Sequence, residues 1–426
     1  MRTFLTIWGG QVVSLIGSGM TSFALGVWVY QTTGAATPLV LVALFNSIPT
    51  FVLSPLAGAL VDRLDRRAVM IAADLGAALV TLALLALFAS GQLDVWHLYV
   101  ASFLTSIADI FQRLAYQASI TMLVPKEQFS RANALVQTGE SFGGIVSPVL
   151  AGLFFGLVGV NGIFVVDFVT FFAAVGALAL VRFPKLAADP ASERPNLLGS
   201  IRQGVAFLKP KPGLIALALF ISLLNLLISS STVLATPMIL SIAEPEVLGL
   251  VQAASSVGLL LGGLAISAWG GPKRKVLGIS LGAVGSGLGL AAAGLRADPL
   301  WIAAGMFVFL FPITLVNSSI RAIIQTKVPA GMQGRVFSLI FMLARASVPL
   351  GFLFAGPLAD RVFEPAMAAG GGLAGGALGS LLGVGPGRGI GLMFLMAGLG
   401  MLLVTAILYA YPRLRRVEAE LADAAD

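Results

Sequence analysis

Long apolar runs separated by short polar segments extend along almost the whole chain. About twenty apolar residues are enough to carry a helix across a hydrocarbon core of roughly 30 Å. The runs, and the charges, glycines and prolines that interrupt them, predict twelve membrane-spanning helices. Their approximate residues are 4–30, 38–61, 68–90, 96–122, 133–157, 161–182, 213–241, 246–268, 275–295, 299–324, 335–359 and 389–411. Alternation at the strand period is absent, so the pattern favours an all-α polytopic membrane protein over a transmembrane β-barrel.

The longest polar stretch, residues 183–212, lies between the sixth and seventh predicted helices and contains five prolines together with lysines and arginines. We interpret it as a cytoplasmic linker with a short amphipathic helix around Leu197–Leu208. It divides the chain into an N-terminal six-helix bundle at 1–182 and a C-terminal six-helix bundle at 213–426, which ends in a short cytoplasmic tail.

A second unusual segment, residues 364–388, connects the last two predicted helices. Half of the residues from 370 to 389 are glycine, which favours a loop without fixed helix structure. We predict an extracytoplasmic loop that serves as a flexible spacer, with a gating element as the alternative.

Lysines and arginines indicate the orientation, because loops that stay in the cytoplasm are enriched in both. They cluster after the even-numbered predicted helices and in the linker, whereas the opposite loops carry only Arg296, Arg361 and Arg388. We therefore expect the linker and both termini to be cytoplasmic.

Composition supports the membrane class and excludes several kinds of site. The chain is 58% hydrophobic and 11% charged, with a mean hydropathy of +0.97. It has no cysteine, and its one histidine, His97, lies between Trp96 and Tyr99 in a sequence typical of an interfacial aromatic belt. We therefore expect no metal and no cofactor. The net charge of +7 resides in short loops and indicates membrane topology, not nucleic acid. The expected partners are membrane lipids, a small-molecule substrate and protons, and we expect a monomer.

The two predicted halves carry a weak internal repeat. Gly58, Gly152, Gly263 and Gly356 recur at comparable depths in the middle helix of each group of three. This spacing indicates inverted three-helix repeats within each six-helix half.

The segment Gly58-x-x-x-Asp62-Arg63-x-Asp65-Arg66-Arg67 resembles the loop 2–3 signature of the major facilitator superfamily, with Asp65 in place of a glycine. The segment from Val124 to Leu135, with Val124-Pro125-Lys-Glu at its start and Arg131-Ala-Asn133-Ala-Leu at its end, is similar to the macrolide-efflux and siderophore-export branch of that family. The resemblance covers essentially the whole chain. It implies two pseudo-symmetric six-helix bundles in a prokaryotic plasma membrane.

The loop 2–3 residues have two interpretations. Gly58 permits close helix approach, and Arg63, Arg66 and Arg67 can pair with cytoplasmic acids and with anionic headgroups. In the family, this loop latches the two halves when the cytoplasmic side is shut, and Asp62 can reach the positive N-terminus of the eleventh helix. The alternative is a topology anchor only, which explains the arginines but not Asp62.

A second motif, formed by Gly143, Ser147, Pro148 and Gly152, resembles the fifth-helix signature of antiporters, with Ser147 and Ala151 at positions where that signature has glycine. Small residues let helices pack closely, and Pro148 removes one backbone hydrogen bond. Both ordinary helix packing and an antiport-specific role remain open.

Ionisable residues inside predicted membrane helices indicate function, because burying charge in lipid is costly. Near the middle of its predicted helices, the first half contains Asp109, Arg113, Glu140 and Asp167, whereas the second half contains no acid at such a position. We predict Glu140 and Asp109 as the proton carriers, since a desolvated carboxylate changes protonation with conformation. Arg113, four residues after Asp109, is its ion-pair partner, so a static structural pair is the alternative.

The remaining acids are ambiguous. Asp167 is a third proton-coupling candidate, for which a hydrogen bond between packed helices is the alternative. Asp74, six residues into the third predicted helix, is interpreted as structural. The candidates for a substrate cavity are Phe103, Phe111, Tyr116, Asn225, Ser229 and Asn317, each of which can instead serve helix packing.

These features predict a proton-coupled exporter of lipophilic small molecules, such as drugs or siderophores, that works by alternating access. An importer or lipid flippase of the same fold is the first alternative. A permease subunit of an ATP-driven pump would need a separate ATPase, since the chain lacks a Gly-x-x-x-x-Gly-Lys-[Ser/Thr] phosphate loop. An integral-membrane enzyme is disfavoured, because no histidine-rich, cysteine or serine–histidine constellation occurs.

Overall fold

The computed structural model describes residues 1–61, 63–181, 197–412 and 418. These residues form helices and connecting loops and contain no strand, which confirms the all-α class. They group into two compact units. One contains helices α1 to α5 together with Glu244–Ala253, and the other contains the remaining described residues.

The first unit is built from five long helices. They are α1 (Arg2–Thr33), α2 (Ala36–Val61), α3 (Arg66–Ala89), α4 (Val95–Leu123) and α5 (Phe129–Leu180). Helices α2 and α3 both pack on α4, and α1 packs along α5. The cavity described below lies among α1, α3, α4 and α5.

Helix α5 contains two membrane-length segments that reverse direction at Gly159. This residue has φ 64° and ψ −169°, a backbone conformation that favours glycine. Along α1, successive residues meet Gly139, Gly143 and then Ser147, so the first segment runs parallel to α1. Gly10 packs against Ala173 and Ala177 while Gly17 packs against Asp167 and Thr170, so the second segment runs antiparallel. The predicted fifth and sixth helices are these two segments.

The second unit contains ten named helices. They are α6 (Leu197–Leu208), α7 (Pro212–Leu240), α8 (Pro245–Trp269), α9 (Lys275–Leu295), α10 (Pro299–Leu310), α11 (Ile313–Lys327), α12 (Ala330–Leu358), α13 (Glu364–Met367), α14 (Ala377–Leu382) and α15 (Arg388–Ala410). Helix α8 starts among the residues that group with the first unit. The predicted linker helix is confirmed as α6, which packs on α12 with Gly204 against Leu339. The predicted tenth membrane helix is divided at Pro312 into α10 and α11.

Ten helical stretches of the described residues are long and apolar enough to cross a membrane. One of them, Lys126–Leu180, contains both segments of α5, and another joins α10 to α11. Helix α4 is outside this group of ten, although its 29 residues give it membrane-spanning length. Its polar positions, which include Asp109 and Arg113, lower its mean hydropathy. One of the ten stretches thus contains two predicted helices, and α4 adds one more. Together they correspond to the twelve helices predicted from the sequence.

The glycine-rich segment 364–388 differs from the prediction of a loop without helix. It contains α13 and α14, and its Met367 and Leu382 form a buried cluster with Leu392 of α15. Glu364 receives hydrogen bonds from the backbone N–H groups of Gly387 and Ile390, at 3.0 and 2.8 Å. The glycines supply turns, including positive φ at Gly383, Gly385 and Gly387, while the intervening leucines supply a core.

Candidate functional site

A cavity of about 340 Å³ lies within the first unit. It is lined by three carboxylates and one guanidinium, from Asp74, Asp109, Glu140 and Arg113. Its other polar lining comes from Gln11, Gln112, Ser14, Ser18 and Ser22, and its aromatic lining comes from Trp8, Tyr116 and Phe171. The cavity thus combines excess negative charge with aromatic surface, in a unit whose other interior is largely apolar.

Helix α4 presents Asp109 and Arg113 to the cavity because they are four residues apart and share one helix face. The two side chains are within electrostatic range of each other, and both are exposed to the cavity space. Glu140 enters from the first segment of α5 and accepts a 3.4 Å hydrogen bond from Gln137. The structure therefore brings Asp109, Arg113 and Glu140 to one cavity.

Asp74, which the sequence analysis interpreted as structural, also reaches the acidic cavity. Its side chain is buried, lines the same cavity and accepts hydrogen bonds from Gln11 Nε2 at 3.1 Å and Gln112 Nε2 at 3.4 Å. Asp109 is also within its electrostatic range. Two glutamines inside otherwise apolar predicted helices were the available signal, since buried amides need polar partners.

Asp167 lies outside the residues that line the cavity. It is 1% exposed and accepts hydrogen bonds from Ser18 at 3.1 Å and Thr81 at 3.3 Å. These contacts hold α1 and α3 against α5 and correspond to the helix-packing interpretation.

Two aromatic side chains of the cavity, Trp8 and Tyr116, are held in a defined geometry. Trp8 Nε1 donates a 2.8 Å hydrogen bond to the carbonyl oxygen of Leu135, and the Tyr116 ring stacks on Phe4 with centroids 6.4 Å apart. The Tyr116 hydroxyl and Gln112 Oε1 are buried without a hydrogen-bond partner among the described residues. Such unsatisfied groups are available to a ligand or to water in the cavity.

The other residues predicted to line a substrate cavity are dispersed. Phe111 lines a separate apolar groove, and half-buried Phe103 lines neither that groove nor the acidic cavity. In the second unit, Asn225 donates a 2.9 Å hydrogen bond to the carbonyl oxygen of Ala344, which links α7 to α12. Ser229 donates to the Leu226 carbonyl within α7, and Asn317 is exposed on α11.

The described residues of the loop 2–3 motif form the N-terminus of α3 and make specific hydrogen bonds there. Asp65 Oδ1 accepts a 2.8 Å hydrogen bond from the backbone N–H of Ala68 and so caps the N-terminus of α3. Arg66 donates to the carbonyl of Ala118 at 2.7 Å. Arg67 donates to the carbonyls of Leu178 and Ala179, at 2.9 and 2.8 Å.

These arginine partners differ from the acids that we expected. Arg67 instead donates to two carbonyl oxygens in the last turn of α5, which have no backbone partner within that helix. Arg66 donates to the Ala118 carbonyl inside α4, which also accepts a hydrogen bond from Thr121 Oγ1 at 2.9 Å. Arg63 is exposed, and Asp62 lies outside the described residues. The reason given for Gly58 also fails here, because no described atom lies within 4 Å of the position a Cβ would take.

The fifth-helix motif lies in close helix contacts of the first unit. Gly143 packs against Leu15, and Ser147, which is buried, packs against Gly19. Gly152 faces the backbone of Pro245 and Glu246 at the start of α8, and the Pro148 carbonyl faces Gly249. A larger side chain at either of these two glycines would collide with backbone, so small residues are required there for packing.

The helical fold and a polar cavity within a membrane-length bundle define a polytopic transport protein. A model of the Major Facilitator Superfamily matches residues 7–352, and the chain belongs to that family. It is therefore a transport protein and not an enzyme. Among the residues that the structure describes, no group of three or more histidine or acidic residues could hold a metal ion.

Two relatives of this chain are named as efflux proteins. The chain is 32% identical to macrolide efflux protein A of Streptococcus pyogenes, over 84% of this chain and 90% of that protein. It is 26% identical to the multidrug efflux pump Tap of Mycolicibacterium fortuitum, over 94% of each. A crystal structure of the nucleoside transporter NupG has a similar fold, with a TM-score of 0.70 and 16% sequence identity, over 96% of this chain and 100% of that chain. The predicted resemblance to the macrolide-efflux branch is thus confirmed.

Proposed function

We propose that this protein exports lipophilic small molecules, macrolides among them, across a bacterial plasma membrane in exchange for protons. The observation that carries the proposal is the cavity of the first unit, where Asp74, Asp109 and Glu140 face aromatic side chains. The efflux function named for two relatives supports the direction and the substrate class.

The acids of the cavity have different roles in this proposal. Asp109 and Glu140 take up and release the protons, because both reach the cavity space and neither is held by two neutral donors. Asp74 keeps Gln11 and Gln112 in place across three helices. Arg113 compensates the charge of Asp109 when the proton leaves. A membrane carboxylate near a cation can change protonation as its surroundings change.

Alternating access supplies the link between proton and substrate movement. The cavity opens to one side of the membrane at a time, the linker and both termini are cytoplasmic, and Asp62 with the loop 2–3 arginines favours one of the two states. The chain acts as a monomer with lipids, substrate and protons as its partners. The lysine and arginine pattern supports the proposed orientation, and membership of the family supports alternating access.

The test is transport in proteoliposomes under an imposed pH gradient without ATP. Erythromycin, a macrolide, should move against the proton flux in the wild type. It should lose its dependence on the gradient in the double variant Asp109→Asn with Glu140→Gln. The matched control, Glu127→Gln, neutralises an exposed acid outside the cavity and should transport normally. Transport that ignores the gradient, or a double variant that keeps full gradient dependence, would contradict proton coupling.

A further inference from the structure

A second, apolar cavity of about 420 Å³ lies between α3 and α4 of the first unit. We call it the α3–α4 groove. Its walls are Val69, Gly76 and Val80 from α3, with Leu104, Ile107 and Phe111 from α4. Every residue that lines it is apolar, and two of the lining leucines, Leu64 and Leu104, are exposed. The groove therefore opens onto an apolar surface of the kind that faces lipid.

The α3–α4 groove and the acidic cavity share a wall. Ala73 and Ala108 line both spaces. Each of these alanines directly precedes an acid of the cavity, Asp74 on α3 and Asp109 on α4. The only side chains shared by the two spaces are therefore two methyl groups, and small side chains let the backbones of membrane helices lie close together.

We propose that the α3–α4 groove is the entrance through which the exported substrate passes laterally from the bilayer, with its apolar part held in the groove and its polar group directed at Asp74 and Asp109. This inference rests on the proposed export of lipophilic molecules. Such molecules concentrate in hydrocarbon, so a lateral entrance meets them where they dissolve. A volume of this size suits a drug-sized ligand.

Asp74 and Asp109, next to the shared alanines, distinguish two candidate occupants of the groove: a lipid acyl chain and the transported amphiphile. A lipid acyl chain also fits an apolar groove, but it has no polar group to place beside carboxylates, since a lipid headgroup stays at the interface. An amphiphile with a cationic or hydrogen-bonding group uses both spaces at once. Because the acidic cavity lies directly behind the alanines that line the groove, we assign the groove to the transported amphiphile.

Gly76 offers a variant that fills the groove without disturbing the fold. No described atom lies within 4 Å of the position of its Cβ, and leucine favours a helix more than glycine does. Gly176 on α5 has the same open surroundings and lines neither space, so Gly176→Leu is the matched control. We expect Gly76→Leu to raise the KM for erythromycin export about tenfold, the effect of losing roughly two buried methylene groups. Gly176→Leu should leave it unchanged.

Occupancy is tested separately by labelling, which the absence of native cysteine makes simple. Ala72→Cys places a thiol in the groove, and Leu79→Cys places one on the exposed face of α3 outside it. Erythromycin should slow the reaction of Ala72→Cys with a membrane-soluble maleimide several-fold, and leave Leu79→Cys unaffected. This measurement needs no pH gradient and remains decisive even where wild-type export fails and the proposed function falls. The proposed entrance would be contradicted by equal labelling of Ala72→Cys with and without erythromycin, or by protection with lysophospholipid alone. An unchanged KM for erythromycin export in Gly76→Leu would contradict it as well.

Discussion

The side-chain amide of Gln11 donates a 3.1 Å hydrogen bond to Asp74 Oδ2 and so joins α1 to α3 inside the acidic cavity. Gln112 of α4 donates to the same oxygen at 3.4 Å. One carboxylate oxygen therefore connects three helices. The first prediction concerns this junction.

Replacing Asp74 by leucine should lower the free energy of unfolding by about 1–3 kcal/mol, because two buried amides lose their acceptor. Asp74→Asn keeps an acceptor oxygen and should cost clearly less. Thermal unfolding of the purified protein in detergent measures both changes. Identical unfolding midpoints for the two variants would show that the junction does not stabilise the unit.

Asp65 stands where the family signature has glycine, and its role as the N-cap of α3 can be tested directly. Asp65→Ala should cost about 1 kcal/mol, whereas Asp65→Gly should cost only a few tenths, because glycine is tolerated at an N-cap. Asp65→Asn should resemble the wild type. The order of the three unfolding midpoints is the measurement, and alanine equal to asparagine would refute the cap.

Arg67 joins α3 to the end of α5 through two carbonyl oxygens, those of Leu178 and Ala179. We expect Arg67→Lys to lose part of the stability and Arg67→Ala to lose about 1.5–3 kcal/mol, since a lysine cannot reproduce the planar fork. Arg63→Ala is the control, because Arg63 is exposed. If Arg63→Ala were as destabilising as Arg67→Ala, the stability would depend on positive charge in the loop and not on the two hydrogen bonds of Arg67.

Glu364 caps the start of α15 and fastens the glycine-rich segment 364–388. Glu364→Ala should destabilise the protein by about 1–3 kcal/mol, with Glu364→Gln intermediate because one of its two acceptor atoms remains. Faster proteolysis within 364–388 should accompany the loss. Wild-type proteolysis rates in Glu364→Ala would mean that the glutamate does not hold this segment.

Part of the site was predictable from the sequence. Asp109, Arg113 and Glu140 were evident as charged residues inside apolar runs. Because placing a charge in the hydrocarbon core costs free energy, such residues indicate a function. Asp74 was set aside because it lies near the start of its run. Its place in the cavity depends on the rotation of α3, which packing against α4 and α5 fixes. The same holds for Asp167, whose partners Ser18 and Thr81 come from helices far apart in the chain.

The sequence by itself determined the class of the protein and the family to which it belongs. Insertion into a membrane depends on apolar surface summed along a run, which is a local property of the chain. It also determined the α6 helix and the break between the fifth and sixth predicted helices, which the apolar pattern placed between residues 157 and 161. Only the tertiary structure decided that Asp65 caps α3, that Arg67 binds carbonyls, and that the glycine-rich segment 364–388 folds around Met367 and Leu382. Each of those outcomes depends on groups that packing brings within hydrogen-bonding or van der Waals distance. The order of residues along the chain does not specify these contacts.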